Sequence, residues 1–359
     1  MAQTTVASDL QRVAQEEKAM FEYVRDSIFA RYMGTDENSI IQLNMRLGRE
    51  AGQNIVIPLI ERLSNSAVVN DNQLRGNEES LANYGHTITI KQVRNAVLVG
   101  KMEQQHTAVD MIKSARTMLR LWLVDDLRTE ILNALGSPVV DGSTAYADAT
   151  EAQKDTWVAA QQQSSTNTRV LFGAVVSNYS ASDHSASLAN VDSTTDVLDF
   201  DIVQLAKRLA RKNSRHIRPV LSKNGSEFFV QFTESFSHRD LKTDTETIHQ
   251  NAGLRGKENQ LFQDMDLILD GVTCVEVPEI QTITGVGASS IDVSPNYFCG
   301  AQAVAIAWGQ KSKFVVDSDI DYKNQTGVSV GEIRGVEKCT YNNLQNGVVT
   351  VYTSGVADS

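Results

Sequence analysis

Three features of the 359-residue sequence predict an α+β fold. Helical periodicity dominates residues 103–135 and recurs at 9–32, 149–163 and 200–212. Strand-like runs fill most of the chain beyond Val220. Two β-branched segments also flank a long polar loop between Asn54 and Gly100. The length is a soft prior for two domains or one elaborated domain, with a sizeable core in either case. Lys+Arg 33 against Asp+Glu 44 leaves a net charge of -11. That balance argues against a protein whose main task is coating nucleic acid, because phosphate neutralisation supplies most of such affinity. The opening MAQTTVASDLQRVAQEEK has neither a basic n-region nor an apolar h-region. The longest apolar runs, Leu121–Val124 and Ala303–Trp308, fall far short of the ~20 residues that span a bilayer. Neither secretion nor membrane insertion is expected.

Taken in order, residues 9–32 place Leu10, Val13, Phe21, Val24 and Ile28 on one helical face behind a Ser8 or Asp9 cap, interrupted by Glu17 and ended by Gly34. Asn54–Leu63 and His86–Gly100 read as strands. The stretch between them is rich in Asn, Ser and Gly, and a loop of that length inside a compact domain is usually functional. Pro58 lacks a ladder donor and favours an edge. The pair therefore reads as a projecting two-stranded arm. An isolated hairpin is marginal in water, so it needs a neighbouring surface, which argues for assembly. The apolar residues of 103–135 recur at three- and four-residue steps up to Gly136-Ser137-Pro138, giving a spine helix about 50 Å long at 1.5 Å per residue. Residues 137–196 shift toward Ala, Ser, Thr, Asn and Gln, with a weak helix at 149–163 and a short strand at 169–176. Asp199 and Asp201 stand at the positive end of a helix from Phe200 to Lys212. From Val220 the expected strands are 227–232, 266–269, 273–277, 297–308, 313–316, 331–340 and 347–353.

Motifs that carry chemistry fail on their surroundings. Gly327–Gly331 matches G-x-S-x-G, but a strand-like segment follows where the elbow needs a helix, and the last histidine, His249, precedes Ser329. Asp317, Asp319 and Asp321 begin like a calcium loop, yet Tyr322 replaces the turning Gly and Val328 the closing Glu. On a strand these carboxylates share one face, which suits a solvated or inter-subunit surface better than a metal. The six histidines lack helical metal spacing, and Cys274, Cys299 and Cys339 lack CxxC spacing, so they read as small buried hydrophobes in a reducing compartment. No cofactor, metal or catalytic residue is expected. The basic run Lys207–Arg218 is the strongest nucleic-acid signal, but cations suit a helix C-terminus and the run holds no aromatic for stacking. Helix-end electrostatics or an acidic partner is the favoured reading.

Several blocks together resemble the major capsid proteins of tailed bacteriophages, in a podovirus-type subfamily. They are LGREAGQNIVIPLIERL (47–63), LRGNEESLANYGHTITIKQVRNAV (74–97) and LRLWLVDDLRTEIL (119–132), followed by FCGAQAVAIAWG (298–309), DYKNQTGVSVGEIRGVEKCTYN (321–342) and GVVTVYTS (347–354). The resemblance implies the Johnson fold shared with herpesvirus shells. Its segments are an N-terminal arm at 1–47, an extended loop at 48–100 and a peripheral domain with the spine helix at 101–164. An axial domain at 165–295 and the peripheral sheet with C-terminal strands at 296–359 complete it. The implied function is self-assembly into hexamers and pentamers of an icosahedral head enclosing double-stranded DNA without sequence-specific binding. The implied location is the virion, and the host cytoplasm during assembly. The implied partners are further copies of the chain, a portal, a separate scaffolding protein (only about 46 residues precede the hairpin) and a decoration protein. The tip Ser64–Gly85 contains Arg75 but no Lys, which speaks against isopeptide cross-linking. Expected lattice contacts are Phe21, Val24 and Ile28 in the arm, Val68, Leu74, Arg75, Glu78, Glu79, Leu81 and Tyr84 in the loop, and Asp317, Asp319 and Asp321. The alternatives are an encapsulin-type compartment of the same fold and, from another class, a serine hydrolase using Ser329.

Overall fold

A computed structural model describes residues 27–45, 52–70, 72–107, 109–140, 142–164, 167–213, 215–222, 225–251 and 266–358. The chain divides into two compact units. One contains residues 91–127 and 310–334, and the other contains 28–90, 128–309 and 335–359. Most of the expected helix at 9–32, with Phe21 and Val24, lies outside the described residues. The part that is described, Ile28–Tyr32, is a 3-10 turn.

The larger unit is organised by a mixed sheet. Its strand order is Leu267–Leu269, Val272–Glu276, Glu227–Thr233, Val293–Cys299, Val348–Ser354 and Val170–Phe172. Alternating side chains supply two cores, as the period of two requires. Leu171, Val349 and Val351 join Phe229, Phe298 and the apolar face of the helix Phe200–Lys212 on one side. Val170, Phe172 and Tyr352 join Trp157, Val158, Leu188 and Val293 on the other. A sheet covered on both faces explains why its strands read as continuous apolar runs. The helix 200–212 forms where its caps predict: Asp199 accepts the Ile202 N–H at 2.8 Å, and Arg211 and Lys212 occupy the last turn. Thr150 and Gln153 form a reciprocal capping box that starts the helix Glu151–Gln161.

In the smaller unit Lys91–Gly100 pairs antiparallel with Gln325–Arg334. Leu119 and Leu123, one helical turn apart, pack on Val328 and Val330, two strand positions apart. Buried Arg334 is ion-paired to Glu332 and Asp126.

Four elements differ from expectation. The helix expected at 103–135 is two helices, Lys101–His106 and Met111–Gly136. Thr107 is extended, and Asp110 caps the second by accepting the Lys113 N–H at 3.0 Å. The run 86–100 is not one strand: Asn83–Thr89 closes the hairpin, and Lys91–Gly100 belongs to another sheet. The run 297–308 is likewise two strands, Val293–Cys299 and Val304–Ile320. Gly300 sits in the turn between them, where a Cβ would lie 2.4 Å from Arg218 O. Finally, Ser235–Asn251 is a helix inside the region read as β. Glu234 caps it, accepting the Phe236 N–H at 2.8 Å.

Candidate assembly surface

The hairpin is the clearest surface that the larger unit leaves uncovered. Its strands Asn54–Ile60 and Asn83–Thr89 pair in register, with Ile55 opposite Ile88, Ile57 opposite His86 and Leu59 opposite Tyr84. Those three pairs face inward. Ile55 and Ile88 are buried with Ala305, Ala307, Cys339 and Tyr341, while Ile57, Leu59 and Tyr84 are half-buried. Polar contacts fasten the same face: Glu337 accepts the Thr89 N–H at 3.1 Å and stands 3.9 Å from His86 Nε2. The stem is therefore docked on the body, and only the part beyond it projects.

The outward face is the anomaly. Alternation predicts polar residues there, but Val56, Pro58 and Ile60 occupy it, with Val56 56% and Ile60 63% exposed. Leu63, Val69, Leu74 and Leu81 add exposed apolar side chains in the tip, each more than half exposed. Large apolar side chains left uncovered along one arm mark an interaction surface.

The tip holds its own shape. Glu79 accepts N–H groups from Ser64 (2.6 Å) and Asn65 (2.9 Å) across the loop, and these backbone bonds hold its carboxyl below the usual carboxylate range. Glu78 accepts the Gly76 N–H at 2.6 Å, and Asn77 N–H donates to Leu74 O at 2.9 Å, closing a turn in which Gly76 has φ +91°. Glu78 and Glu79 thus brace the loop, which leaves Leu74, Arg75 and Leu81 outward; Val68 is half-buried. Tyr84 belongs to the docked stem, not to the tip.

The remaining expected residues lie elsewhere. Ile28 is half-buried beside fully buried Phe29. Asp317 and Asp319 lie on the exposed end of Val304–Ile320, with the Asp319 N–H donating to Asp317 at 3.0 Å. Asp321 falls in the turn at φ +48°, so the three carboxylates do not continue one strand face as expected. Ser329 sits inside the strand Gln325–Lys338 with no elbow around it. The basic run finds its acidic partners within the chain: Lys207–Asp270 (2.7 Å), Arg211–Glu227 (3.3 Å), Arg215–Glu61 (2.7 Å) and Arg218–Glu37 (3.3 Å). The carboxylates lie 16 to 181 residues away in the sequence, so no local pattern reveals the pairing.

A self-braced arm with an apolar outer strip, on a body with a doubly covered sheet, defines a structural protein that other subunits complete. Comparison with known proteins gives the class its identity. The family model for phage capsid protein matches residues 3–357. The major capsid protein of Pseudomonas phage KPP25 is 30% identical over 352 residues, covering 90% of this chain and 89% of that protein. The cyanophage Pam1 capsid subunit superposes with TM-score 0.90 at 33% identity over 100% of both chains. The capsid of Ralstonia phage GP4 shares the fold, with TM-score 0.73 at 21% identity over 100% of both chains. This chain belongs to the phage capsid protein family. It is a tailed-phage major capsid protein of the Johnson type, a structural component of the virion's head shell rather than an enzyme. An encapsulin-type compartment is not favoured by these relatives.

Proposed function

We propose that the hairpin is the arm by which each subunit overlaps its neighbour in hexamers and pentamers of an icosahedral head around double-stranded DNA. The observation that carries this is the set of exposed apolar side chains from Val56 to Leu81, which the chain's own body leaves uncovered. Val68, Leu74, Arg75, Glu78, Glu79 and Leu81 then contact or shape the contact with the neighbour. Asp317, Asp319 and Asp321 contribute at a second interface, and Phe21, Val24 and Ile28 in the arm.

The segments are assigned as arm 1–47, extended loop 48–100, peripheral 101–164 and 296–359, and axial 165–295. The axial and C-terminal segments share the large sheet. A separate scaffolding protein, a portal and a decoration protein complete the partners, with assembly in the host cytoplasm. The acidic balance, and the ion pairs that four of the six cations in the basic run make within the chain, support a wall that confines DNA without gripping it.

Deletion of residues 65–84 tests the arm. The shortened subunit is expected to fold, with the far-UV circular dichroism of its body retained, and to fail to form stable shells. Shells of normal heat stability from the deleted chain would refute the reading.

A further inference from the structure

We propose that Arg215 is the positioning residue of the extended loop: by latching Glu61 where stem becomes tip, it sets the elevation at which the tip leaves the body. The inference rests on the reading of the loop as an assembly arm.

Arg215 follows the helix Phe200–Lys212, and the described residues on either side of it, Asn213 and Ile217, are held by hydrogen bonds. The Asn213 side chain accepts the Thr168 N–H and donates to Thr168 O, both at 3.0 Å, and the Ile217 N–H donates to Ala210 O at 2.9 Å. From that anchor the guanidinium uses every side it has. Nε and Nη2 donate to Glu61 Oε1 at 3.1 and 2.7 Å, and Nη1 donates to Tyr341 O at 2.8 Å. One face lies 5.6 Å from the centre of the Tyr84 ring.

Glu61 follows one stem strand, and Tyr84 lies on the other, paired with Leu59. One side chain therefore ties both strands to the body at the top of the stem. Beyond it, among the described residues, the hydrogen bonds of 62–81 stay within the loop.

A second arginine braces the latch from behind. Behind Arg215 lies buried Arg169, whose guanidinium donates to three backbone carbonyls, those of Gln345, Asn346 and Arg215 itself. Arg169 thus holds the Arg215 backbone in place, and the Arg215 guanidinium is left to meet the carboxylate of Glu61. The planar fork also matters, because an ammonium supplies charge but neither the parallel donors nor the flat face that meets Tyr84. The position magnifies its effect. Over a reach on the order of 30 Å, within the ~3.5 Å per residue that a chain allows, a rotation of about 10° moves the tip by about 5 Å. That displacement is enough to break a packed contact.

The test uses the full-length unassembled subunit with spin labels on Gln73→Cys and Lys212→Cys. The three native cysteines are buried and free, so labelling is selective. The parent chain is expected to give one narrow inter-label distance. Glu61→Gln, and independently Arg215→Lys, are expected to broaden it at least about twofold and to slow shell assembly by about tenfold, equivalent to about 1.4 kcal/mol.

Unchanged distance widths in Glu61→Gln would overturn the latch, whether assembly slowed or not, because the loop would then be positioned by other contacts. If Arg215→Lys does not fold, Glu61→Gln decides alone. The 65–84 deletion separates the two claims. Normal assembly of the deletion defeats the arm itself, whereas failed assembly of the deletion with unperturbed distances in Glu61→Gln defeats only the latch.

Discussion

Burial of His184 is expected to make the capsid subunit less stable in acid, and replacing it with Phe should remove that contribution. The side chain is 1% exposed and enclosed by the rings of Tyr146, Trp157, Phe172 and Tyr352, with Nε2 3.4 Å from the Tyr352 hydroxyl. Burial lowers its pKa from 6.5 to about 4, against the opposing pull of Glu151, Asp155 and Asp183, while Lys154 adds to the lowering. Above pH 6.5 both folded and unfolded chains hold a neutral imidazole, and the group contributes no pH dependence. Between 6.5 and about 4 the unfolded chain takes up a proton that the native chain refuses, so stability falls with falling pH. At about 1.4 kcal/mol per unit, the loss reaches about 2.5 kcal/mol at pH 4.5. Urea denaturation of the unassembled subunit at pH 7.5 and 4.5 measures it. The stability difference between parent and His184→Phe should shift by about 2.5 kcal/mol in the variant's favour on acidification. Parallel pH profiles for the two chains would show that His184 titrates alike in the folded and unfolded subunit.

Lys338 acts in the opposite window. Its ammonium donates to Ser137 O at 2.7 Å and lies 5.3 Å from the Trp157 ring; burial lowers its pKa to about 7, opposed by Cys299. The Lys338 contribution to stability should therefore rise with pH above about 7, where only the unfolded chain holds the proton, so Lys338→Met should lose stability relative to the parent between about pH 7 and 8.5 in the same denaturation assay. Gly335→Ala places a Cβ 2.3 Å from the Thr89 carbonyl, backbone against backbone. It should cost about 1–3 kcal/mol and raise amide hydrogen exchange in Asn83–Thr89; unchanged protection there would show that the stem is not held against Gly335.

Local chemistry made some of this structure readable in the sequence. The helix Phe200–Lys212 carries its caps and charges at both ends, and the hairpin announces itself by β-branched runs around a polar loop. What escaped depends on partners distant in the chain. Ser235–Asn251 is polar, and its start buries Ser237, His238 and Leu241, so no apolar stripe marks it; Asn296 and Thr353 from other strands satisfy Ser237. The change of sheet at Ile90 leaves no trace in an unbroken run of strand formers. The turn at Gly300–Ala303 is as buried as the strands beside it, so hydropathy cannot see it. The outward strip of the loop was legible as residues but not as a strip, because facing depends on the register Ile55–Ile88. The basic run shows the same limit: its acids come from Glu37, Glu61, Glu227 and Asp270.

Whether the loop joins neighbouring subunits is decided by electron microscopy of the purified chain at high concentration, with and without a scaffolding protein. Curved or closed lattices of six- and five-fold rings are expected, in which a density arm from each subunit lies on its neighbour. A chain that stays monomeric or forms only small closed oligomers under both conditions, or a lattice whose neighbours make no contact with residues 61–82, would contradict that role of the loop.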